Sequence, residues 1–274
     1  MQKAVSTFIY IKERLHPGLL DGLARSGAQA IEIFAARQHL DYANRKQHVR
    51  EIADWFRTSG VPLHSVHAPL YGDYEWGRAG SPPVNIAAAD RAGRVEAMDE
   101  IKRALEAAEH IPFRHMVIHL GEQYDGWSQR TLEYAETALE HLGAFARPLG
   151  VRLLVENLLS EPTTPEHLTT ILEMGHLDSV GVCLDLGHAH ITLGTAEAFS
   201  VLGSRIVSMH VHDNHGLKDE HLWPGDGSIA WPAVAEALKS LAAPPAAVLE
   251  ISEKLGDAPA AFPERIRASF DRLA

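Results

Sequence analysis

The chain carries one cysteine, Cys183, so no disulfide can close within it, and a reducing compartment such as the cytoplasm suits it. Aromatic residues make up only 7%, which leaves the core to be built mainly from aliphatic side chains. No apolar run reaches the roughly 18 residues that a membrane span needs. The opening Met1-Gln2-Lys3-Ala4 leads straight into a strand-like stretch, without a charged-then-apolar leader. Positive charge is short too: 25 Lys and Arg against 36 Asp and Glu give a formal charge of −11. That argues against a broad basic face for nucleic acid, while leaving room for a local basic cleft. What the chain has in quantity is histidine, 17 residues of 274.

With 46% hydrophobic and 22% charged residues, the composition is that of a folded globular chain. Short β-branched runs alternate with longer helical patterns. Strands are expected near 5–11, 30–35, 63–69, 115–121, 152–157, 180–187, 206–213 and 246–251. Helices are expected near 17–26, 44–59, 86–110, 128–149, 165–174, 195–203, 231–242 and 262–273. Thr164 before Pro165, and Trp231-Pro232, are helix-start signals. Eight strands each followed by a helix imply a parallel sheet with right-handed crossovers, and the simplest closed form is a single (β/α)₈ TIM barrel. No linker or composition shift divides the chain, so one domain over 1–274 is expected. Two connections are long, Tyr71 to Pro83 and Asn214 to Ala230. Long loops at the C-terminal face of a barrel are where sites and lids gather.

Placement of the histidines and acids carries the functional argument. The expected C-terminal strand ends hold His67, His119, Glu156, Asp185 with His188, His210 with Asp213, and Glu250, and the loop after the seventh strand adds Asp219 and His221. Leaving Asp213 aside, these imidazoles and carboxylates form a ring at one mouth. Both types are ligands for Zn²⁺, Mn²⁺, Fe²⁺ or Co²⁺. Carboxylates crowded without partners repel one another, and divalent cations remove that penalty. Glu156, Asp185 and Glu250 each end an apolar run, where an unpaired acid is rare. A single histidine in a strand, by contrast, is more often a hydrogen-bonded core residue.

Other residues read more plainly. His212 alternates with His210 and is expected on the opposite face. His64, His190 and His215 read as structural or supporting residues, and Cys183 as a small core residue. Asp213 reads as a partner that would hold a ligand imidazole in one tautomer. Pro224-Gly225-Asp226-Gly227 reads as a tight turn. Tyr74 and Trp76 divide between a lid over substrate and ordinary loop packing. Arg37, past the second strand, and Lys254, past the eighth, are placed to meet an anionic substrate; with Trp76 they are the candidate substrate contacts.

The motifs together resemble the xylose isomerase-like barrel superfamily, which includes sugar isomerases and epimerases, inosose dehydratase-like enzymes and the endonuclease IV family of abasic-site nucleases. The resemblance runs over nearly the whole chain. It is carried by Ser65-Val66-His67-Ala68-Pro69, Val117-Ile118-His119, Val155-Glu156-Asn157, Cys183-Leu184-Asp185-Leu186-Gly187-His188, His210-Val211-His212-Asp213-Asn214, and Asp219-Glu220-His221 with Gly225-Asp226-Gly227. It implies a metal site of Glu156, Asp185, His210 and Glu250, with Glu156 and Glu250 as the acid/base pair of the epimerase branch. His67, His119, His188, Asp219 and His221 match the further ligands that complete a three-metal cluster in the nuclease branch. The surroundings depart from that branch. Leu186-Gly187 stands for its Thr-Cys, Leu158-Leu159-Ser160 for Thr-Ala-Gly, and Glu220 for the Arg of its Asp-Arg-His.

The reading implied is a divalent-metal-dependent sugar, sugar phosphate or polyol isomerase or epimerase, with one to three Zn, Mn, Fe, Co or Mg ions per chain. A dehydratase or lyase would share its chemistry. One alternative is an endonuclease IV-like phosphodiesterase with a trinuclear zinc site. Another is a barrel that binds metal or ligand without catalysis. A small carbohydrate is the expected partner, nucleic acid and membrane are disfavoured, and a homo-oligomer is compatible with the sequence.

Overall fold

The expected strands close on themselves. In the computed structural model, which describes residues 1–44, 46–122, 125–256 and 258–274, eight parallel strands pair in sequence order and the eighth returns to the first. They are β1 (Lys3–Ser6), β2 (Ala30–Phe34), β3 (Leu63–His67), β4 (His115–Ile118), β5 (Arg152–Glu156), β6 (Gly181–Asp185), β7 (Ile206–Val211) and β8 (Ala246–Leu249). Outside them lie α1 (Pro17–Arg25), α2 (Lys46–Ser59), α3 (Arg91–Leu105), α4 (Gln129–Ala146), α5 (Pro165–Met174), α6 (Leu186–Ile191), α7 (Thr195–Leu202), α8 (Trp231–Ser240) and α9 (Phe262–Asp271). This is the single (β/α)₈ barrel that the alternation implied.

The elements are shorter than their apolar runs, for local reasons. The first strand was expected over 5–11 but ends at Ser6. There the Ser6 Oγ accepts the Phe8 N–H at 3.3 Å and the chain winds into a 3₁₀ turn over Thr7–Tyr10. The third helix was expected over 86–110, but Asp90 caps it, accepting the Gly93 N–H at 2.6 Å. The sixth strand was expected to reach 187. Instead the Asp185 Oδ1 accepts the His188 N–H at 2.6 Å, ending the strand and starting α6, which periodicity did not reveal. Thr164 caps α5 as expected, accepting the His167 N–H at 3.3 Å.

The main core lies between sheet and helices, where Leu20, Leu23, Ile31, Ile52, Ile101, Leu105, Leu139 and Leu172 are fully shielded. Each such side chain contributes about 1.5–3 kcal/mol on burial. Two smaller clusters, Ala4 with Ala30 and Val248, and Val117 with Leu154 and Cys183, are also fully buried in the strands. Burial pushes the Cys183 thiol up to about 12, consistent with an inert core residue. A register step opposite Ile31 and Glu32 brings Glu32 beside Ser65, whose Oγ donates to Glu32 Oε2 at 2.7 Å.

Both long loops are pinned. Trp76 packs edge-on against Phe34, Phe8 and Tyr71, and its N–H donates to Gln38 Oε1 at 3.0 Å. The later loop is organised by Asp213. Its carboxylate accepts the N–H groups of Asn214 at 2.9 Å, Gly225 at 2.7 Å and Ile229 at 3.1 Å, and the Trp231 indole N–H at 2.9 Å. Asp213 therefore holds the loop rather than a ligand imidazole. Gly225 takes φ +95°, so Pro224 to Gly227 is the turn expected.

Candidate metal centre

Barrel geometry sends C-terminal strand ends to a common mouth. His67, Glu156 and Asp185 are the last residues of β3, β5 and β6; His119 and Glu250 directly follow β4 and β8; His210 is the next-to-last residue of β7. His188 comes from the first turns of α6, and Asp219 and His221 from the loop that Asp213 secures. All nine converge. Glu156 is the hub: its Oε1 lies 2.9 Å from His210 Nδ1, and its Oε2 lies 3.3 Å from His67 Nε2 and 3.1 Å from His119 Nε2. Asp219 Oδ2 sits between His188 Nε2 at 3.2 Å and His221 Nε2 at 3.0 Å. Glu250 Oε2 is 3.6 Å from His210 Nδ1. The inner groups are closed off from solvent, whereas the side chains of His119, Asp219 and His221 remain 18%, 29% and 15% exposed. The mouth therefore opens on their side.

The main chain aims three of the rings. Nδ1 of His67 donates to the Ala68 carbonyl at 2.8 Å, that of His188 to the Asn157 carbonyl at 2.9 Å, and that of His221 to the Glu250 carbonyl at 3.0 Å. Each Nε2 is thereby turned to a carboxylate of the ring. The Asn157 side chain exchanges hydrogen bonds with the Asp185 N–H at 2.7 Å and its carbonyl at 3.0 Å, fixing the end of β6. His221 holds φ +47°, a left-handed conformation uncommon outside glycine.

Electrostatics follow from packing acids against imidazoles away from water. Burial alone would raise the Glu156 carboxyl, but His210 and His119 hold it well below the usual range. Glu250 goes the other way, because burial outweighs its histidine neighbours. Burial opposes charge on His188 and His221 also, yet Asp185 and Asp219 lift the first to about 10, and Asp219 lifts the second to about 9. His67, His188, His210 and His221 are thus shifted toward the protonated form beside these acids, while burial takes His119 the other way, and a cation entering the ring would compete with protons for these groups.

The donors suit a divalent ion. One donor atom from each of Glu156, Asp185, His210 and Glu250 lies within 4.8 Å of the others, and the same holds for His67, Glu156 and His210, and for His188, Asp219 and His221. Glu250 Oε1 is buried with no hydrogen-bond partner, an uncompensated acceptor of the kind a cation satisfies.

Several expectations need correction. His212 does not face away: two residues on from His210 it falls on the same face, with Nε2 3.0 Å from Asp185 Oδ2. Its ring stacks on His221 at 3.9 Å and 20°. Imidazole lone pairs lie in the ring plane, so two rings stacked nearly parallel cannot both aim at one ion. His212 is a brace on Asp185. Arg37 does not present a free cation. Its Nε donates to Glu100 Oε1 at 2.7 Å and a terminal nitrogen donates to Oε2, with Tyr42 and Arg103 on the same carboxylate. Lys254 is exposed in a 3₁₀ turn over Glu253–Leu255. Tyr74 is exposed, whereas Trp76 joins Phe8 and Phe34 in an aromatic wall, with Phe34 stacked on His67 at 4.1 Å and Phe8 against His221 at 5.1 Å. His64 is a core residue, its Nε2 3.3 Å from Ser208 Oγ.

Glu32 was not singled out from sequence, although it is an acid inside the apolar run Ala30-Ile31-Glu32-Ile33. It is fully buried, and its Oε1 and Oε2 both lie 3.4 Å from His210 Nε2. Burial would raise its carboxyl, but His210, His67 and Ser65 bring it down to about 2.

Fold and mouth together define a (β/α)₈ barrel whose C-terminal mouth gathers histidines and carboxylates. The chain belongs to the family described as xylose isomerase-like TIM barrel, whose model matches residues 20–272. It is 27% identical over 251 residues to an uncharacterized protein of Methanocaldococcus jannaschii, covering 88% of this chain and 80% of that one. It is 26% identical over 164 residues to the inosose isomerase of Bacillus subtilis, covering 56% and 59% of the two chains. A probable endonuclease 4 of Natronomonas pharaonis is 27% identical over 156 residues, covering 50% and 55%. Among solved structures, a D-tagatose 3-epimerase-like protein superposes with TM-score 0.78 at 24% identity, and the IolI protein with a bound zinc atom with TM-score 0.80 at 18% identity. Both superpositions cover 100% of this chain and 98% of the other, and they show a shared fold.

Proposed function

We propose that residues 1–274 form one domain, a divalent-metal-dependent isomerase or epimerase acting on a small sugar or polyol, with Glu156 and Glu250 as its proton-transfer pair. The observation that carries the reading is the buried quartet of Glu156, Asp185, His210 and Glu250, in which both glutamates approach the same His210 nitrogen, at 2.9 and 3.6 Å. Glu156, Asp185, His210 and Glu250 would hold the ion, and His67, His119, His188, Asp219 and His221 could hold one or two more. When bound, such an ion supplies Lewis acidity toward a substrate carbonyl and its neighbouring hydroxyl. One glutamate takes the proton from the carbon beside the carbonyl, and the electron pair left behind moves toward the carbonyl oxygen. The other glutamate returns a proton, to the opposite face of the same carbon for an epimer, or to the former carbonyl carbon for an isomer, in which case the neighbouring hydroxyl gives its proton to the former carbonyl oxygen and becomes the new carbonyl. The wall of Phe8, Phe34 and Trp76 shields that carbon from water and offers an apolar face to a sugar's C–H groups. The similarity to inosose isomerase and the shared fold with epimerase-like proteins support this class.

The test is deuterium exchange from D₂O into a panel of ketoses, aldoses and inososes. Exchange that is lost in Glu156→Gln and Glu250→Gln is the expected result. A metal-loaded protein that exchanges no substrate carbon would argue for the non-catalytic barrel.

The outer group of His188, Asp219 and His221 favours a second reading, phosphodiester hydrolysis of the endonuclease kind. Cleavage of an abasic-site duplex that disappears in Asp219→Asn would establish it in place of the first. The engagement of Arg37 by Glu100, the charge of −11 and Glu220 beside Asp219 weigh toward a small substrate.

A further inference from the structure

We infer that Glu32 is a positioning residue for the metal centre: it takes the Nε2–H of His210 and so turns the Nδ1 lone pair of that ring toward Glu156, Asp185 and Glu250. This rests on the metal-binding part of the reading above, not on the reaction.

The argument starts from the contrast among the rings. His67, His188 and His221 donate Nδ1–H to a main-chain carbonyl and present Nε2. His210 is reversed: Nδ1 faces Glu156 at 2.9 Å, Glu250 at 3.6 Å and Asp185 at 3.9 Å. It lies within β7, which is hydrogen-bonded on both sides, to β6 and β8. Main-chain carbonyls there belong to the ladder, so the outward nitrogen needs a side-chain acceptor. Glu32, from β2, supplies one, with both carboxylate oxygens 3.4 Å from Nε2. Ser65 Oγ holds that carboxylate in place at 2.7 Å, and the register step between β2 and β3 sets the two side by side. A metal-ligating histidine needs its second nitrogen satisfied to fix tautomer and ring angle, and carboxylates serve that role well. Glu32 has no place in the donor quartet itself, yet an acid this deep in an apolar strand is costly without such a partner.

The experiment uses the full chain with Zn²⁺ as probe. Protein labelled with ¹⁵N-histidine and loaded with Zn²⁺ is read by long-range ¹H–¹⁵N correlation, with His210→Asn identifying the His210 signals. The expected spectrum has the proton of His210 on Nε2 and the metal-shifted nitrogen at Nδ1. Chelator competition then measures affinity. Glu32→Leu is expected to weaken Zn²⁺ binding by about 10- to 100-fold, and Glu32→Gln by less, because its amide oxygen still accepts a hydrogen bond. Ile31→Ala, which removes buried volume at the neighbouring position of β2 and leaves the carboxylate untouched, is the control for packing and keeps the wild-type affinity. A proton on Nδ1, a wild-type affinity in both Glu32 variants, or a loss in Ile31→Ala equal to that in Glu32→Leu would overturn the inference. Should Glu32→Leu not fold, the wild-type spectrum and Glu32→Gln decide. A wild-type chain that binds no Zn²⁺ overturns this inference along with the metal centre. One that binds Zn²⁺ with the expected tautomer but exchanges no sugar proton overturns only the proposed reaction.

Discussion

His212 occupies the space that a side chain at Gly187 would need: a Cβ built at Gly187 overlaps the imidazole ring. The Nε2 on that same edge of the ring lies 3.0 Å from Asp185 Oδ2. The absence of a Cβ at Gly187 lets His212 lean across it to reach the acid. Gly187→Ala is expected to expel His212 and free Asp185 to rotate. Overpacking of this kind costs about 1–3 kcal/mol. Denaturant unfolding should show that loss, and a Zn²⁺ titration should show weaker binding. His212→Ala should reproduce the weaker binding without the overpacking, and unchanged metal affinity in both variants would refute the brace.

Asp213 gathers four donors from the loop that delivers Asp219 and His221. Asp213→Ala leaves three of those donors, from Asn214, Ile229 and Trp231, unpaired in a buried setting. We expect a stability loss of at least roughly 3 kcal/mol, since each stranded donor costs about 1–3 kcal/mol. Hydrogen exchange should rise across residues 214–230 more than in the strands. Asp213→Asn, which keeps an acceptor oxygen, should lie between the two. Uniform exchange across the barrel would contradict this account.

His39 supplies a pH dependence separate from the metal centre. It is fully buried, its Nδ1 donates to the Glu13 carbonyl at 2.6 Å, and its Nε2 has no partner. Burial pushes its pKa down from 6.5 to about 4. The unfolded chain therefore binds this proton more readily than the folded one. The stability contribution is intact above the unfolded value and erodes as pH falls from there toward the folded one. Linkage gives a loss of roughly 2 kcal/mol between pH 7.5 and pH 5. Urea unfolding at the two pH values, in the wild type and in His39→Gln, isolates it. The variant should lose less stability on acidification than the wild type, and equal losses would count against the assignment.

Much of the barrel was legible because its strands are apolar, β-branched and punctuated by polar or glycine residues. The strand ends were less so, because the features that stop them are hydrogen bonds of single side chains. Ser6 ends β1 through the Phe8 N–H, and Asp185 ends β6 through the His188 N–H. His212 is a different case: residues two apart share one face of a strand, so alternation itself places His212 on the side of His210, and the expectation of an opposite face was wrong. The convergence of the nine donors was readable because six stand at strand ends, while His188 follows β6 directly and Asp219 and His221 lie on the long loop after β7. Glu32 was not, since its partner His210 lies 178 residues away in sequence. The available signal was local and weak, a charged residue within an apolar strand. Arg37 looked available because sequence does not reveal that Glu100 stands against it.

The anchoring of His67, His188 and His221 to carbonyl groups has a consequence for descent. Every residue type has a main-chain carbonyl, so replacements at Ala68, Asn157 or Glu250 leave an acceptor where these rings need one. Their orientation is inherited with the path of the chain and can survive drift in the side chains around it. His210 depends on the identity of one distant residue, Glu32, and both must be inherited together. In lineages where the pair is separated, the mouth would keep its outline while its deepest ring lost its aim.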